Sequence, residues 1–278
     1  MMRRTVIACA AAASLGASAH ASMISIHAVK SGDAQDFVAF QGGSGNVIGL
    51  PEAPFRQENG AGSGGNAIAI VQSGTGNAFG TSPAGAFQSG TGNAARILQA
   101  GSGSRADLRQ TGAFNGARDG TLRQEASDSR AEIVETGLSN GFRVAQEGAG
   151  HALALVQEGA GHFAVLLQRG RGLDASVKQS GDGHNAEVAQ DGAGNALKAL
   201  QTGSSHVLAV KQAGAANYAY SQQSGVGHFA ILTQIGSGNY ISGEQSGDRN
   251  QAIITQNSNA NTVVYNQAGS QNVLRVRQ

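Results

Sequence analysis

Four of the seven histidines, His162, His184, His206 and His228, stand 22 residues apart. Imidazoles at a fixed period are the residues here best suited to chemistry. In one column they could bind a metal or gather like charge on protonation. No carboxylate or cysteine recurs beside them, so the spacing favours neutral imidazole standing in for an amide over a metal ladder. If the column stacks, protonation near pH 6 would set like charges roughly 5 Å apart. Asp182, Asp191 and Asp248 lie among glycines, but a calcium-binding β-roll needs a nine-residue period with Asp at a fixed place. The glycine runs lack the Gly-Lys-[Ser/Thr] of a phosphate loop. The carboxylates are scattered, with no convergent pair for acid–base work. The expectation is a protein that is not an enzyme, with no catalytic group, metal, cofactor or small-molecule substrate.

What must position these side chains is a repeat. Between residues 124 and 278 one pattern returns every 11 residues, beginning each time on glutamine. The positions are Gln124, Gln146, Gln157, Gln168, Gln179, Gln190, Gln201, Gln212, Gln223, Gln234, Gln245, Gln256, Gln267 and Gln278, with Glu135 in the remaining slot. Gln72, Gln88, Gln99 and Gln110 begin the same unit less regularly. Two places on stands glycine, at Gly137, Gly148, Gly159, Gly170, Gly181, Gly192, Gly203, Gly214, Gly225, Gly236, Gly247 and Gly269. Ala126 and Ser258 break that series. Five places on stands Asn or His, at Asn140, His151, His162, His184, Asn195, His206, Asn217, His228, Asn239, Asn250, Asn261 and Asn272. Asn66, Asn77 and Asn93 open earlier strands, and Ser129 and Leu173 are the exceptions. Fixed-period self-similarity denotes a solenoid.

Within the unit, residues alternate. Over residues 151–157, His151, Leu153, Leu155 and Gln157 share one face, and Ala152, Ala154 and Val156 take the other. Residues 195–201 set Leu197 and Ala199 against Lys198. Period-two alternation with charge on one face describes strands half buried in a common core. Glycine-rich quartets such as residues 158–161 supply the turns, where other residues resist the backbone angles. The pattern predicts seven strand residues and four turn residues per 11, with no room for helices. Strands that turn over onto opposite sheets make β-arches, two to a 22-residue coil, with coils stacked in parallel roughly 4.8 Å apart. The expected fold is all-β: a two-sheet β-arch solenoid, amyloid-like, whose buried amides bond along the stack. Counting from Gln72, 19 strands predict nine or ten coils.

The rest of the chain frames this body. Met-Met-Arg-Arg, a short apolar stretch and the small-x-small site at Ala19 and Ala21 predict a signal peptide over residues 1–21. Cys9, the one cysteine, falls inside it, so the exported part relies on no disulfide. Losing Arg3 and Arg4 from 19 basic residues leaves 17 against 18 acidic ones, a net charge of −1. That balance, without a basic cluster and interleaved aromatics, argues against nucleic acid. No second apolar run reaches the ~18–20 residues that cross a bilayer. Residues 22–40 form a non-repeat N-terminal segment, residues 41–123 carry the repeat irregularly, and residues 124–278 carry it regularly. Pro51, Pro54 and Pro83 all fall in the irregular part. Proline removes a ladder donor, so the N-terminal coils are expected to be the least regular.

The unit, as it stands in Gln88-Ser-Gly-Thr-Gly-Asn-Ala-Ala-Arg-Ile-Leu-Gln99, resembles the curlin repeat of bacterial curli subunits. The resemblance covers residues 41–278, and a signal peptide with a short non-repeat segment fits the same layout. It implies a secreted functional amyloid, exported through an outer-membrane curli secretion pore that would read residues 22–40. It further implies polymerisation, with itself and other curli subunits, into adhesive biofilm-matrix fibres at the cell surface, a curli-like pilus. Two features depart from the pattern: Asn or His, rather than Ser, opens nearly every strand, and outward faces carry charge at Arg96, Arg143, Lys178, Glu187 and Lys211. The charge, with Arg275 and Arg277 in the last strand, keeps a surface-bound nucleator open beside the bulk fibre subunit. A monomeric extracellular β-solenoid adhesin is the competing class. Energetics weigh toward assembly. Each strand buries about two aliphatic side chains, ~1.5–3 kcal/mol each, against ~1–2 kcal/mol per residue of backbone ordering, so stacking must supply the balance. An uncapped last strand would template the next subunit.

Overall fold

The computed structural model describes residues 25–26, 28–31, 35–59, 65–83, 85–117 and 119–278. The expected signal peptide, with Ala19, Ala21 and Cys9, lies outside the described residues. The described chain is all-β and forms two parallel sheets, of 14 and 11 strands, between which successive strands alternate. Arg130–Leu138 pairs with Ala152–Ala160, which pairs with Asp174–Asp182, each residue meeting the one 22 places on. Phe163–Arg171 and Asn185–Ala193 do the same in the other sheet. One coil is therefore two strands, and the fold is a β-solenoid.

Burial follows the alternation. Along Phe163–Arg171, Ala164, Leu166 and Gln168 are buried, while the residues between them are partly exposed. The inward rows merge into one apolar core, with Leu155, Leu166, Val188 and Leu232 fully inaccessible. Size is balanced along the stack, as close packing requires. The column Val177, Ala199, Ser221, Gly243 tapers toward the C-terminal end and closes on Tyr265. A β-carbon on Gly243 would lie 1.9 Å from the Tyr265 ring.

The turns differ from expectation. In place of seven strand residues and four turn residues, pairing runs through nine residues, as in Ala152–Ala160. Buried backbone groups need partners, and at these corners the partners lie on the adjacent coils. Gly161 N–H donates to Leu138 O at 2.9 Å, and Phe163 N–H to His184 O at 2.9 Å. Corner bonds on corner, so pairing continues around the bend.

The irregular part is held in the same register. Gln41 opposes Gln72, Gln72 opposes Gln99, and Gln99 opposes Gln124, across spacings of 31, 27 and 25 residues. Extra residues are looped out and glutamine meets glutamine regardless. All three prolines sit in such loops. Pro51 and Pro54 separate Val47–Ile48 from Phe55–Asn59, and Pro83 separates Ala78–Phe79 from Phe87–Thr91. Ser25–Ile26 and Ala28–Ser31 form a third split rung, so the 14-stranded sheet is 11 rungs deep, like its partner. With Asp36–Gln41, which pairs with Ala67–Thr75, these strands start the paired body inside residues 22–40. Rungs ahead of Gln72 thus extend the stack beyond the coils counted from that residue.

Candidate functional site: the stacked amide and imidazole columns

Each strand ends its inward row on glutamine, and parallel in-register pairing places these side chains above one another. In the 11-stranded sheet the column comprises Gln41, Gln72, Gln99, Gln124, Gln146, Gln168, Gln190, Gln212, Gln234, Gln256 and Gln278. Every Nε2 donates to the Oε1 of the next coil, from 2.5 Å at Gln41–Gln72 to 3.3 Å at Gln256–Gln278, without a gap. The amide dipoles all point the same way, with Gln41 Oε1 left without a donor at one end. The other sheet carries Gln57, Gln88, Gln110, Glu135, Gln157, Gln179, Gln201, Gln223, Gln245 and Gln267, bonded at 2.6–2.9 Å except between Glu135 and Gln157.

The Asn/His positions form two further columns at the corners. One runs Asn66, Asn93, Asn115, Asn140, His162, His184, His206, His228, Asn250, Asn272. Each side chain accepts the backbone N–H of the next member and bonds back to a carbonyl in the preceding turn. Asn140 Oδ1 accepts from His162 N–H at 3.1 Å, and His162 Nδ1 accepts from His184 N–H at 3.2 Å. His228 Nδ1 hands the column back to asparagine, accepting from Asn250 N–H at 3.1 Å. The second column runs Asn46, Asn77, Ser104, Ser129, His151, Leu173, Asn195, Asn217, Asn239, Asn261. Leu173 has no side-chain acceptor to offer, and it is the one member that interrupts the sequence of bonds.

The histidine rings stack 4.8–4.9 Å apart and within 10° of parallel. Nδ1 accepts a backbone N–H, and Nε2 faces a carbonyl, as at Glu158 O (3.1 Å) and Thr202 O (2.9 Å). The geometry selects the neutral Nε2–H tautomer, which reproduces the acceptor and donor of asparagine. Both nitrogens are committed to backbone, so neither is free for a metal. No cluster of His, Cys, Asp or Glu able to hold a metal occurs among the described residues. Burial drives the imidazoles of His151, His162 and His206 below 6.5, and that of His184 to about 4, where neighbouring rings add to the effect. Protonation of His184 therefore falls well below the pH 6 expected from a free imidazole.

The glycines form their own columns. Gly137, Gly159, Gly181, Gly203, Gly225, Gly247 and Gly269 line one corner, and Gly148, Gly170, Gly192, Gly214 and Gly236 the other. All have φ between +98° and +124°. A β-carbon on Gly159 or Gly170 would sit 1.9 Å from the carbonyl oxygen of the next glycine above. Space as well as φ demands glycine here. A second corner position, four residues after each Gln, also has positive φ but accepts side chains such as Ser205, Ala216 and Arg249.

The ion pairs lie on the outer faces. Arg169 pairs with Glu147 at 3.2 Å, Lys178 with Glu158 at 3.0 Å and Arg143 with Asp119 at 2.5 Å, each across neighbouring rungs. The arrangement brings together amides, imidazoles and backbone. What the columns do chemically is bond each coil to the next, amide to amide and side chain to backbone.

The family model of the curlin associated repeat matches residues 84–112, which hold Phe87–Thr91, Ala94–Ser102 and most of Arg105–Ala113. Over that stretch the chain is similar to a curlin repeat. The matched segment runs through more than one coil of the solenoid, and its glutamines Gln88, Gln99 and Gln110 belong to the two columns above. No curated protein matches the chain. The columns give the matched repeat a physical role: its Gln and Asn side chains bond amide and backbone groups of the next coil.

Proposed function

We propose that the protein is an exported structural subunit that polymerises into curli-like functional amyloid fibres at the cell surface, serving biofilm matrix and adhesion. The observation that carries this is the unbroken, one-directional glutamine column of the 11-stranded sheet. Each rung offers the next the same donors and acceptors, so one copy can continue where another stops. At the C-terminal end Val273–Arg277 is paired with Gln251–Gln256 along one edge, and Gln278 receives the amide of Gln256. At the N-terminal end Gln41 Oε1 has no donor. These ends complement each other, and parallel strand edges are templates for addition. The direction of the column predicts that the Gln278 end of one copy meets the Gln41 end of the next.

Its partners are then copies of itself, other curli subunits and the outer-membrane curli secretion pore, with residues 22–40 as the segment that pore reads. Ser25–Ile26, Ala28–Ser31 and Asp36–Gln41, in and beside that segment, would be the first rungs of the assembled body. Thioflavin T fluorescence on residues 22–278 freshly diluted from denaturant tests the reading. A concentration-dependent lag, then fibres diffracting near 4.7 and 10 Å, is expected. A soluble β-rich monomer with a flat trace would refute polymerisation and favour a monomeric extracellular adhesin.

A further inference from the structure

The glutamine column of the 14-stranded sheet is interrupted once. Gln110 Nε2 donates to Glu135 Oε2 at 2.6 Å, and Gln157 Nε2 donates onward to Gln179 Oε1 at 2.8 Å. Glu135 and Gln157 are partners in register on adjacent rungs. Yet Glu135 Oε1 and Gln157 Oε1 are both buried with no hydrogen-bond partner. These are the two atoms that a glutamine at 135 would join, since its amide N–H would donate where Oε1 stands. A carboxylate has no hydrogen to give, and would leave two oxygens unsatisfied in a dry core. A carboxylic acid has one O–H, on the side where glutamine carries its amide.

We propose that Glu135 enters the stack as a carboxylic acid that donates its O–H to Gln157 Oε1, and that ionising it cuts this column in two. Among the described residues, the Gln110 amide is the one group that bonds the carboxyl. The inward rows of the strands around it (Gln110, Leu122, Phe142 and Gln157 among them) are buried and uncharged. The charged residues on those strands point outward, where Arg109 meets Glu132, Arg123 meets Glu125, and Arg143 meets Asp119. Arg105, Arg130, Glu147 and Glu158 are on the outer surface as well, and Asp107 is directed toward Ser82. His162, at the following corner, has both nitrogens bonded to backbone. Burial accordingly raises the Glu135 carboxyl from 4.5 to about 8, against the lowering effect of Gln110.

The sign follows from the direction of this shift. Between pH 4.5 and about 8 the folded chain holds a proton that the unfolded chain has lost. Stability from Glu135 is full below 4.5 and falls by about tenfold in folding constant per pH unit as pH rises to 8, then levels off. Glu135→Gln supplies a permanent amide donor and removes this dependence. Urea unfolding of the full wild-type and E135Q chains from pH 5 to 9 tests it. The ratio of their folding constants is expected to shift toward E135Q by about tenfold per pH unit up to 8 and then stay level. Carbon-13 NMR of the Glu135 carboxyl in the labelled wild-type chain is expected to read a protonated acid at pH 6, whatever the variant does. A pH-independent ratio, or an ionised carboxyl at pH 6, overturns the proposal. Both readouts concern the folded chain and stand apart from fibre formation.

Discussion

If the glutamine columns hold the coils together, breaking one should show a signature that ordinary core substitutions lack. Gln190 accepts from Gln168 at 2.9 Å and donates to Gln212 at 2.8 Å and to Asp174 O at 2.8 Å. Gln190→Leu keeps the volume but strands Gln212 Oε1 without a donor and takes an acceptor from Gln168 Nε2. An orphaned buried oxygen costs about 1–3 kcal/mol and a lost net hydrogen bond about 0.5–1.5, so one break should cost about 2–4 kcal/mol. Adding Gln212→Leu removes the orphan at 212 and creates one at Gln234, leaving the number of broken ends unchanged. The adjacent pair Q190L/Q212L further loses only the Gln212 bonds to Ala196 O and Asn217 O, and should cost clearly less than twice Q190L alone. Q190L/Q234L leaves Gln212 stranded on both sides and should cost about twice as much, since the column is broken twice. Urea midpoints of the dilute chain, followed by circular dichroism, separate these cases. Equal additivity in both pairs, or a stabilised Q190L, would refute the column as a source of stability.

The histidine column predicts acid lability. The imidazole of His184 is lowered from 6.5 to about 4, so the folded chain resists a proton that the unfolded chain accepts. Stability is full above 6.5 and lost as pH falls toward 4, and His184→Asn should flatten that loss in a pH series of urea midpoints. The glycine columns predict an asymmetry between two residues two places apart. Gly183→Ala meets nothing nearer than Ser205 Oγ at 3.9 Å and should cost about 1–2 kcal/mol for its left-handed φ. Gly181→Ala would place a β-carbon 2.0 Å from Gly203 O, and its midpoint should fall well below that of G183A.

Why so much of this fold could be read in advance lies in the physics of parallel stacking. Identical neighbours tolerate small deviations only, so each column imposes its own residue type and the period becomes visible. The parts that escaped are those where the period was disturbed while the columns persisted. Gln41 and Gln57 take their places across spacings of 31 residues, and Asn46 and Ser104 carry the corner column through the irregular coils. Asn115 was within reach, because Gln110-Thr-Gly-Ala-Phe-Asn115 keeps the five-place offset. The second positive-φ corner position was hidden by the eight side chains that occupy it. Its strain is local, so selection for glycine is weak there and strong where a carbonyl fills the space.

The two substitutes within the columns carry the argument furthest. Histidine replaces asparagine because one ring nitrogen accepts and the other donates, and the exchange holds while the ring is neutral. Glutamate can replace glutamine on the same terms, with one oxygen accepting and one hydroxyl donating, while the acid is neutral. Burial favours the neutral form in both, lowering His184 to about 4 and raising Glu135 to about 8. Their linkages to folding therefore oppose each other: the imidazole's contribution rises with pH up to 6.5, and the carboxyl's falls from 4.5 to about 8. A repeat built from Gln and Asn alone would have neither slope. The titrating members of these columns make the stack respond to pH, and E135Q should remove the one slope while H184N reduces the other, which His151, His162 and His206 share.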